Sequence, residues 1–209
     1  MRRIGLLGGT FSPPHEGHLH AAATARELLK LDELWFLPDA QPPHKKLPVG
    51  TPNPEQRAEM TELLASRLDG ASVCRIELEL PPPSYTAHTV TVLKERFPED
   101  EFTFIVGSDM LLTLERWYHP EIILKTVKIA ALARHDADIG MLEACAENLR
   151  MKFGAVVTVL TADVREVSST DLREALAKLP PDSTVFPEGL TREVGEYIRA
   201  HGLYKEAQT

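Results

Sequence analysis

Gly8-Gly9-Thr10-Phe11-Ser12-Pro13-Pro14-His15-Glu16-Gly17-His18 is the stretch on which the reading of this chain turns. It follows the apolar run Ile4-Gly5-Leu6-Leu7, which predicts a buried first strand. It precedes residues 19–31, which predict a helix. A strand-to-helix turn with glycines, a threonine hydroxyl and a pair of histidines suits phosphate. Small residues let the backbone approach an anion, and the free N–H groups of a starting helix point at it. His15 and His18 are three residues apart, so in a first helical turn their imidazoles share a face and can donate to one polyphosphate. A neighbouring polyphosphate is expected to favour protonated imidazole.

Other readings of the turn are weaker. It contains neither G-x-x-x-x-G-K-[ST] nor G-x-G-x-x-G. Zinc on His15, His18 and His20 is disfavoured, because no cysteine or carboxylate completes a ligand set and H-E-G-H is one residue short of H-E-x-x-H.

Outward from the turn, strand-like and helical stretches alternate. Leu34-Trp35-Phe36-Leu37, closed by Pro38, predicts a second buried strand; residues 39–52 form a proline-rich loop containing Pro42-Pro43-His44-Lys45-Lys46. Asn53-Pro54 predicts an N-cap and first helical position, with the helix stopping near Gly70. Residues 73–80 alternate and predict a strand ended by three prolines. Ser84-Tyr85-Thr86 leads into a helix, and residues 102–106 predict a strong buried strand ending in Gly107-Ser108-Asp109. A broken helical region around Trp117, Tyr118 and Pro120 follows, then a strand over 127–132, a helix over 138–152 and a strand over 155–160. Ser168-Ser169-Thr170-Asp171-Leu172-Arg173 opens another helix with capping-box spacing, and a last helix covers about 191–200. Such alternation predicts an α/β fold: a Rossmann-like parallel sheet flanked by helices on both faces. The expected organisation is a single domain over 1–209, with a C-terminal helical portion from about 168.

Composition narrows the function. With 209 residues and a formal net charge of −8, the chain lacks the basic excess expected of a general nucleic-acid or anionic-membrane surface. An anionic small molecule needs only a few well-placed cations. Cys74 and Cys145 have neither zinc spacing nor a disulfide framework, so a reduced cytoplasmic setting is expected. No stretch approaches the ~20 apolar residues of a membrane span.

The pattern G-G-T-F-x-P-x-H-x-G-H resembles that of the nucleotidyltransferases related to class I aminoacyl-tRNA synthetases. Over nearly the whole chain the sequence resembles the bacterial nicotinate-nucleotide adenylyltransferases. The match is carried by residues 8–18, 42–45, 84–89, 107–117 and 167–173, and by the ending Tyr197-Ile198 through His201-Gly202-Leu203-Tyr204. Two positions depart from the usual pattern, His88 and Ser12, where the family often has Asp.

The resemblance implies transfer of AMP from ATP to nicotinate mononucleotide, giving nicotinate adenine dinucleotide and pyrophosphate on the route to NAD. By the same resemblance, Gly8, Gly9, Thr10, Phe11, His15, His18, Gly107, Ser169, Thr170 and Arg173 hold ATP. Of these, His15, His18 and Arg173 are the catalytic candidates. Lys45, Tyr85, Thr86, Asp109, Trp117 and Arg134 serve the mononucleotide. Taken singly, Trp117 reads equally as core, and Lys45 and Arg134 as surface charges. Mg²⁺ is expected on the substrate phosphates, without a protein metal site. Expected partners are the two small-molecule substrates, with no nucleic acid or membrane and with a homo-oligomer left open. A sister adenylyl- or cytidylyltransferase, or a nucleotide-binding module that no longer turns over, stays open as an alternative.

Overall fold

The computed structural model describes residues 1–44, 46–133, 139–161, 167–180 and 182–205. Its strands are β1 (Arg3–Gly9), β2 (Glu33–Pro38), β3 (Ala71–Val73), β4 (Glu101–Gly107), β5 (Lys128–Ala133) and β6 (Val157–Thr161). They form one sheet in the order β3-β2-β1-β4-β5-β6, and every neighbouring pair is parallel. The order runs outward in both directions from the β1/β4 pair. The crevice above the carboxyl ends of those two strands is therefore the topological switch point, where open α/β sheets bind ligands.

The period-two side-chain alternation of the strands builds two cores. On one face, Leu6, Phe104 and Val106 meet Val90 and Leu93 of α4 (Thr86–Arg96), Ile123 of α6 (Pro120–Thr126) and Leu142 of α7 (Ile139–Phe153). On the other, Leu7, Ile105 and Leu132 meet Ala22 of α1 (Glu16–Leu29), Met60 of α2 (Pro54–Ala65), Leu172 of α8 (Ser169–Lys178) and Val194 of α9 (Arg192–Ala200). The expected sheet with helices on both faces is present. α2 starts as its sequence predicts, with Asn53 Oδ1 accepting from Gln56 N–H at 2.9 Å and Pro54 in the first turn.

One element differs. The alternation over 73–80 predicts a strand, but β3 ends at Val73 and α3 (Ile76–Glu79) follows. Ile76 and Glu77 are both buried, so alternation there does not separate a wet face from a dry one. Between β4 and α6 the chain forms α5 (Ser108–Thr113) and a 3₁₀ turn over Leu114–Arg116, broken before Pro120 as the sequence predicts.

Candidate active site

The turn after β1 is held from several sides. Gly9 is closely covered: a Cβ there would lie 3.1 Å from the ring of Phe11, which would have to give by a few tenths of an ångström. Phe11 is itself buried, with φ +48°, its ring edge-on to His18 at 4.9 Å and to Phe36 at 5.8 Å. His15 is the N-cap of α1, and the two histidines make a reciprocal capping box. His18 N–H donates to His15 Nδ1 at 3.3 Å, and His15 N–H donates to His18 Nδ1 at 3.2 Å. Their rings stack with centroids 3.6 Å apart.

This geometry makes each Nδ1 an acceptor, so a neutral ring carries its proton on Nε2, free to donate outward. Burial lowers His15 to about 4 and holds His18 well below its ordinary value, with His15 adding to the effect. The protonated pair expected beside a polyphosphate is thus not the state of the ligand-free protein. Both imidazoles are neutral donors, because burial penalises the cation.

The tip of α8 is brought to the same turn. Ser168 caps that helix, accepting from Asp171 N–H at 3.3 Å, while Ser169 Oγ donates to Pro13 O at 3.0 Å. Arg173 Nη1 donates to Ser12 O at 2.7 Å and its Nη2 to Thr170 Oγ1 at 2.9 Å. Segments more than 150 residues apart in sequence therefore form one rim.

Above the strand ends the cleft has two lobes. The first, about 640 Å³, is lined by the turn from Gly8 to Ser12, the proline-rich loop, Tyr85, Thr86, Phe104 and Trp117, and by Thr170 and Arg173. The second, about 660 Å³, is lined by His15, Gly17, Ile105, Gly107, Asp109, Leu132 and the α8 start. Gly8, His18, Met110 and Ser169 line both, forming a seam.

The sequence-predicted residues divide accordingly. Of those expected to hold ATP, Gly9, Thr10, Phe11, Thr170 and Arg173 line the first lobe, His15 and Gly107 the second, and Gly8, His18 and Ser169 the seam. Of those expected for the mononucleotide, Tyr85, Thr86 and Trp117 line the first lobe together. Asp109 is exposed and lines the second, apart from them. Lys45 and Arg134 lie outside the described residues.

Both unusual positions have local partners. Ser12 is buried, its hydroxyl 3.1 Å from that of Tyr204, and His88 packs edge-on to Tyr85 and Tyr118 at 5.8 and 5.5 Å. Tyr118 stacks on Tyr85 at 4.3 Å, extending an aromatic wall that includes Trp117, 6.0 Å from His44.

Sequence reasoning missed the scaffold of the first lobe. Arg57 is completely buried. It donates to Thr10 O at 2.7 Å, Asp39 Oδ1 at 3.1 Å, Ala40 O at 3.1 Å and Pro52 O at 3.3 Å. Asp39 also accepts from Thr10 Oγ1 at 2.7 Å, so the threonine hydroxyl expected to face ATP directs its proton into the scaffold. One arginine thereby ties both ends of the proline-rich loop to the turn after β1. A single arginine inside a helix carries no local signal of such a role.

Among the described residues no group of three or more His, Cys, Asp or Glu side chains is placed to hold a metal ion. Among the described residues no helix is long and apolar enough to cross a membrane.

Comparison with known proteins bears on the family and the fold. A cytidylyltransferase-like family model matches residues 6–175. A probable nicotinate-nucleotide adenylyltransferase of Exiguobacterium sibiricum is 37% identical over 195 residues, covering 93% of this chain and 97% of that protein. The nicotinate-nucleotide adenylyltransferase of Bacillus subtilis is 34% identical over 207 residues, covering 98% and 100%. Among solved structures, nicotinic acid mononucleotide adenylyltransferase of Plasmodium falciparum, complexed with NaAD, superposes with a TM-score of 0.74 at 18% identity, covering 98% of each chain. That last likeness speaks to the fold.

Proposed function

This chain belongs to the nicotinate-nucleotide adenylyltransferase family, and from that premise we propose how its cleft transfers AMP from ATP to nicotinate mononucleotide, releasing pyrophosphate. The observation that carries the reading is the seam. Two cavities of nucleotide size meet where Gly8, His18 and Ser169 line both. On this reading the mononucleotide occupies the first lobe, its ring against Trp117 and Tyr85. The adenosine end of ATP occupies the second, and the phosphates cross the seam.

The attacking group is a phosphate oxygen of the mononucleotide, already ionised at neutral pH, so no general base is needed. It forms a bond to the α-phosphorus of ATP while the α–β bridging bond breaks and pyrophosphate leaves. What the protein must supply is alignment and relief of negative charge. His15 and His18 supply neutral N–H donors. Arg173 supplies a permanent cation, oriented by Ser12 O and Thr170. The N-termini of α1 and α8 both open on the second lobe and add their partial positive charge. Mg²⁺ enters with ATP as part of the substrate, since hard cations of this kind ride on phosphate oxygens.

The test is incubation of the protein with ATP and, separately, nicotinate mononucleotide, nicotinamide mononucleotide and phosphopantetheine, measuring pyrophosphate. Release with nicotinate mononucleotide is the expected result. Release with phosphopantetheine alone would move the chain to a sister activity, and nucleotide binding without release would make it a non-catalytic module.

A further inference from the structure

The proposed chemistry makes no use of Glu77, a carboxylate buried in the wall of the first lobe. It lies in α3, where the sequence predicts a strand. Thr89 Oγ1 lies 2.8 Å from Glu77 Oε1 and 3.3 Å from Tyr85 O. The Ser84 side chain also favours the charged form of Glu77. Ser84 Oγ accepts from Ala40 N–H at 3.0 Å and Gln41 N–H at 3.3 Å. The carboxyl thus sits beneath the junction of the proline-rich loop with the segment that presents Tyr85 and Thr86.

This arrangement accommodates two protonation states. With Glu77 ionised, Thr89 donates to it. With Glu77 neutral, its proton goes to Thr89 Oγ1 and the Thr89 proton turns to Tyr85 O. The Thr89 proton has a partner in either state.

The surroundings set the balance. From the end of β2, Asp39 faces Glu77 and raises it, and Asp39 is itself paired with Arg57 of α2. On its own segment, Cys74 is a thiol, Arg75 is engaged by Glu55 and Glu62, and Glu79 pairs with Arg96 of α4. Tyr85 and His88 stand at the start of α4; His44 and Lys46 of the proline-rich loop line the same lobe, as does Tyr118. Among the described ion pairs none includes Glu77. Burial pushes its carboxyl up to about 7, Asp39 adds to this, and the Thr89 and Ser84 hydroxyls oppose it.

We propose that Glu77 is a positioning residue that matches the charge of the first lobe to its ligand: it is protonated when an anionic mononucleotide is bound, and its ionised form binds that ligand more weakly. The inference rests on the mononucleotide occupying the first lobe, as proposed above. A ligand bearing a phosphate brings negative charge beside Asp39 and a carboxyl with no cation partner among the described residues. Binding then draws a proton from solvent onto Glu77, and by linkage the affinity falls as pH rises through the titration of this group.

The experiment is the KM for nicotinate mononucleotide, and separately for ATP, between about pH 6.5 and 8.5 in native protein and in Glu77→Gln. The amide keeps the shape and an acceptor but cannot ionise. The native mononucleotide KM is expected to rise about tenfold relative to the variant across that range. The ATP KM should follow the same course in both proteins. Calorimetric titration with nicotinate mononucleotide near pH 7.5, in buffers of different ionisation heat, should show proton uptake that Glu77→Gln lowers.

Parallel mononucleotide KM curves with pyrophosphate still released overturn this inference alone. No pyrophosphate from native protein overturns the proposed function, and this inference with it. If Glu77→Gln does not fold, Thr89→Val serves instead. It removes a hydrogen bond that favours the charged carboxyl, so the midpoint of the native curve must move to higher pH; an unmoved midpoint overturns the proposal.

Discussion

The two lobes of the cleft are built from different materials. The first is walled by side chains whose identity matters: Trp117, Tyr85, Tyr118, the proline-rich loop and, behind them, Arg57 and Glu77. The second has the histidine pair and apolar strand ends such as Ile105 and Leu132, and its helix starts and the end of β4 bring small residues and main chain to it: Gly17, Gly107, Ser168 and Ser169. Backbone N–H groups grip a nucleotide without leaving a residue identity behind, whereas an aromatic ring recognises another ring through its own face. On the proposed reading, the choice of acceptor resides in the first lobe, the generic hold on a triphosphate in the second, and the reaction at the seam between them.

The largest effect is expected at the frame of the first lobe. Arg57→Met removes a fully buried cation, leaves Asp39 unpaired and orphans three carbonyls. Denaturant unfolding should show a loss of about 3–5 kcal/mol, the scale for breaking a buried pair. A loss below about 1 kcal/mol would mean the lobe does not depend on this arginine.

Next is the seam. His18→Ala should lower kcat by about 10²–10³, the scale of one lost transition-state donor, with smaller changes in either KM. Near-native turnover would remove His18 from the chemistry and leave the lobes as mere neighbours.

The second lobe carries an acid sensitivity of its own. The His15 pKa in the folded protein lies below its unfolded value, because burial opposes the charge. Its contribution to stability is therefore fully present above about pH 6.5 and is lost as pH falls from there through about 4. That loss totals about 3 kcal/mol for a shift of this size. His15→Asn keeps an N-cap acceptor, so by thermal melting it should lose about 2 kcal/mol less than native protein between about pH 7 and pH 5. Glu77, whose raised pKa adds stability as pH falls from about 7, is common to both proteins and cancels. Identical acid profiles would show that the histidine pair is not held neutral by burial.

The smallest effect falls on the aromatic wall. Trp117→Ala should raise the mononucleotide KM about three- to tenfold, the scale of one lost ring contact, and leave the ATP KM within about twofold. An equal rise in both would erase the division of labour between the lobes.

How much of this was legible in the sequence follows from range. Features whose partners lie within one turn were readable: the Asn53-Pro54 start of α2, the Ser168 cap of α8, the break before Pro120, and the glycine turn after β1. The buried strands were readable because a parallel sheet covered on both faces demands unbroken apolar runs. Features whose partners lie far along the chain were not. Arg57 reaches Thr10 across 47 residues, and Glu77 meets Thr89 only after the chain has folded back. The histidine capping box is an intermediate case. Its spacing was visible in H-x-G-H, but imidazole nitrogens as reciprocal caps emerge only from geometry.

One detail of the rim bears on how the molecule comes into being. The hydroxyl of Tyr204 meets that of Ser12, Gly189 O receives the N–H of Glu16, and Arg173 holds Ser12 O. Synthesis runs from the amino end, so Asp39 and Arg57 reach the phosphate turn early, while Arg173 and Tyr204 follow it by 161 and 192 residues from Ser12. A nascent chain thus carries its most distinctive motif well before the last of the contacts that hold it in shape.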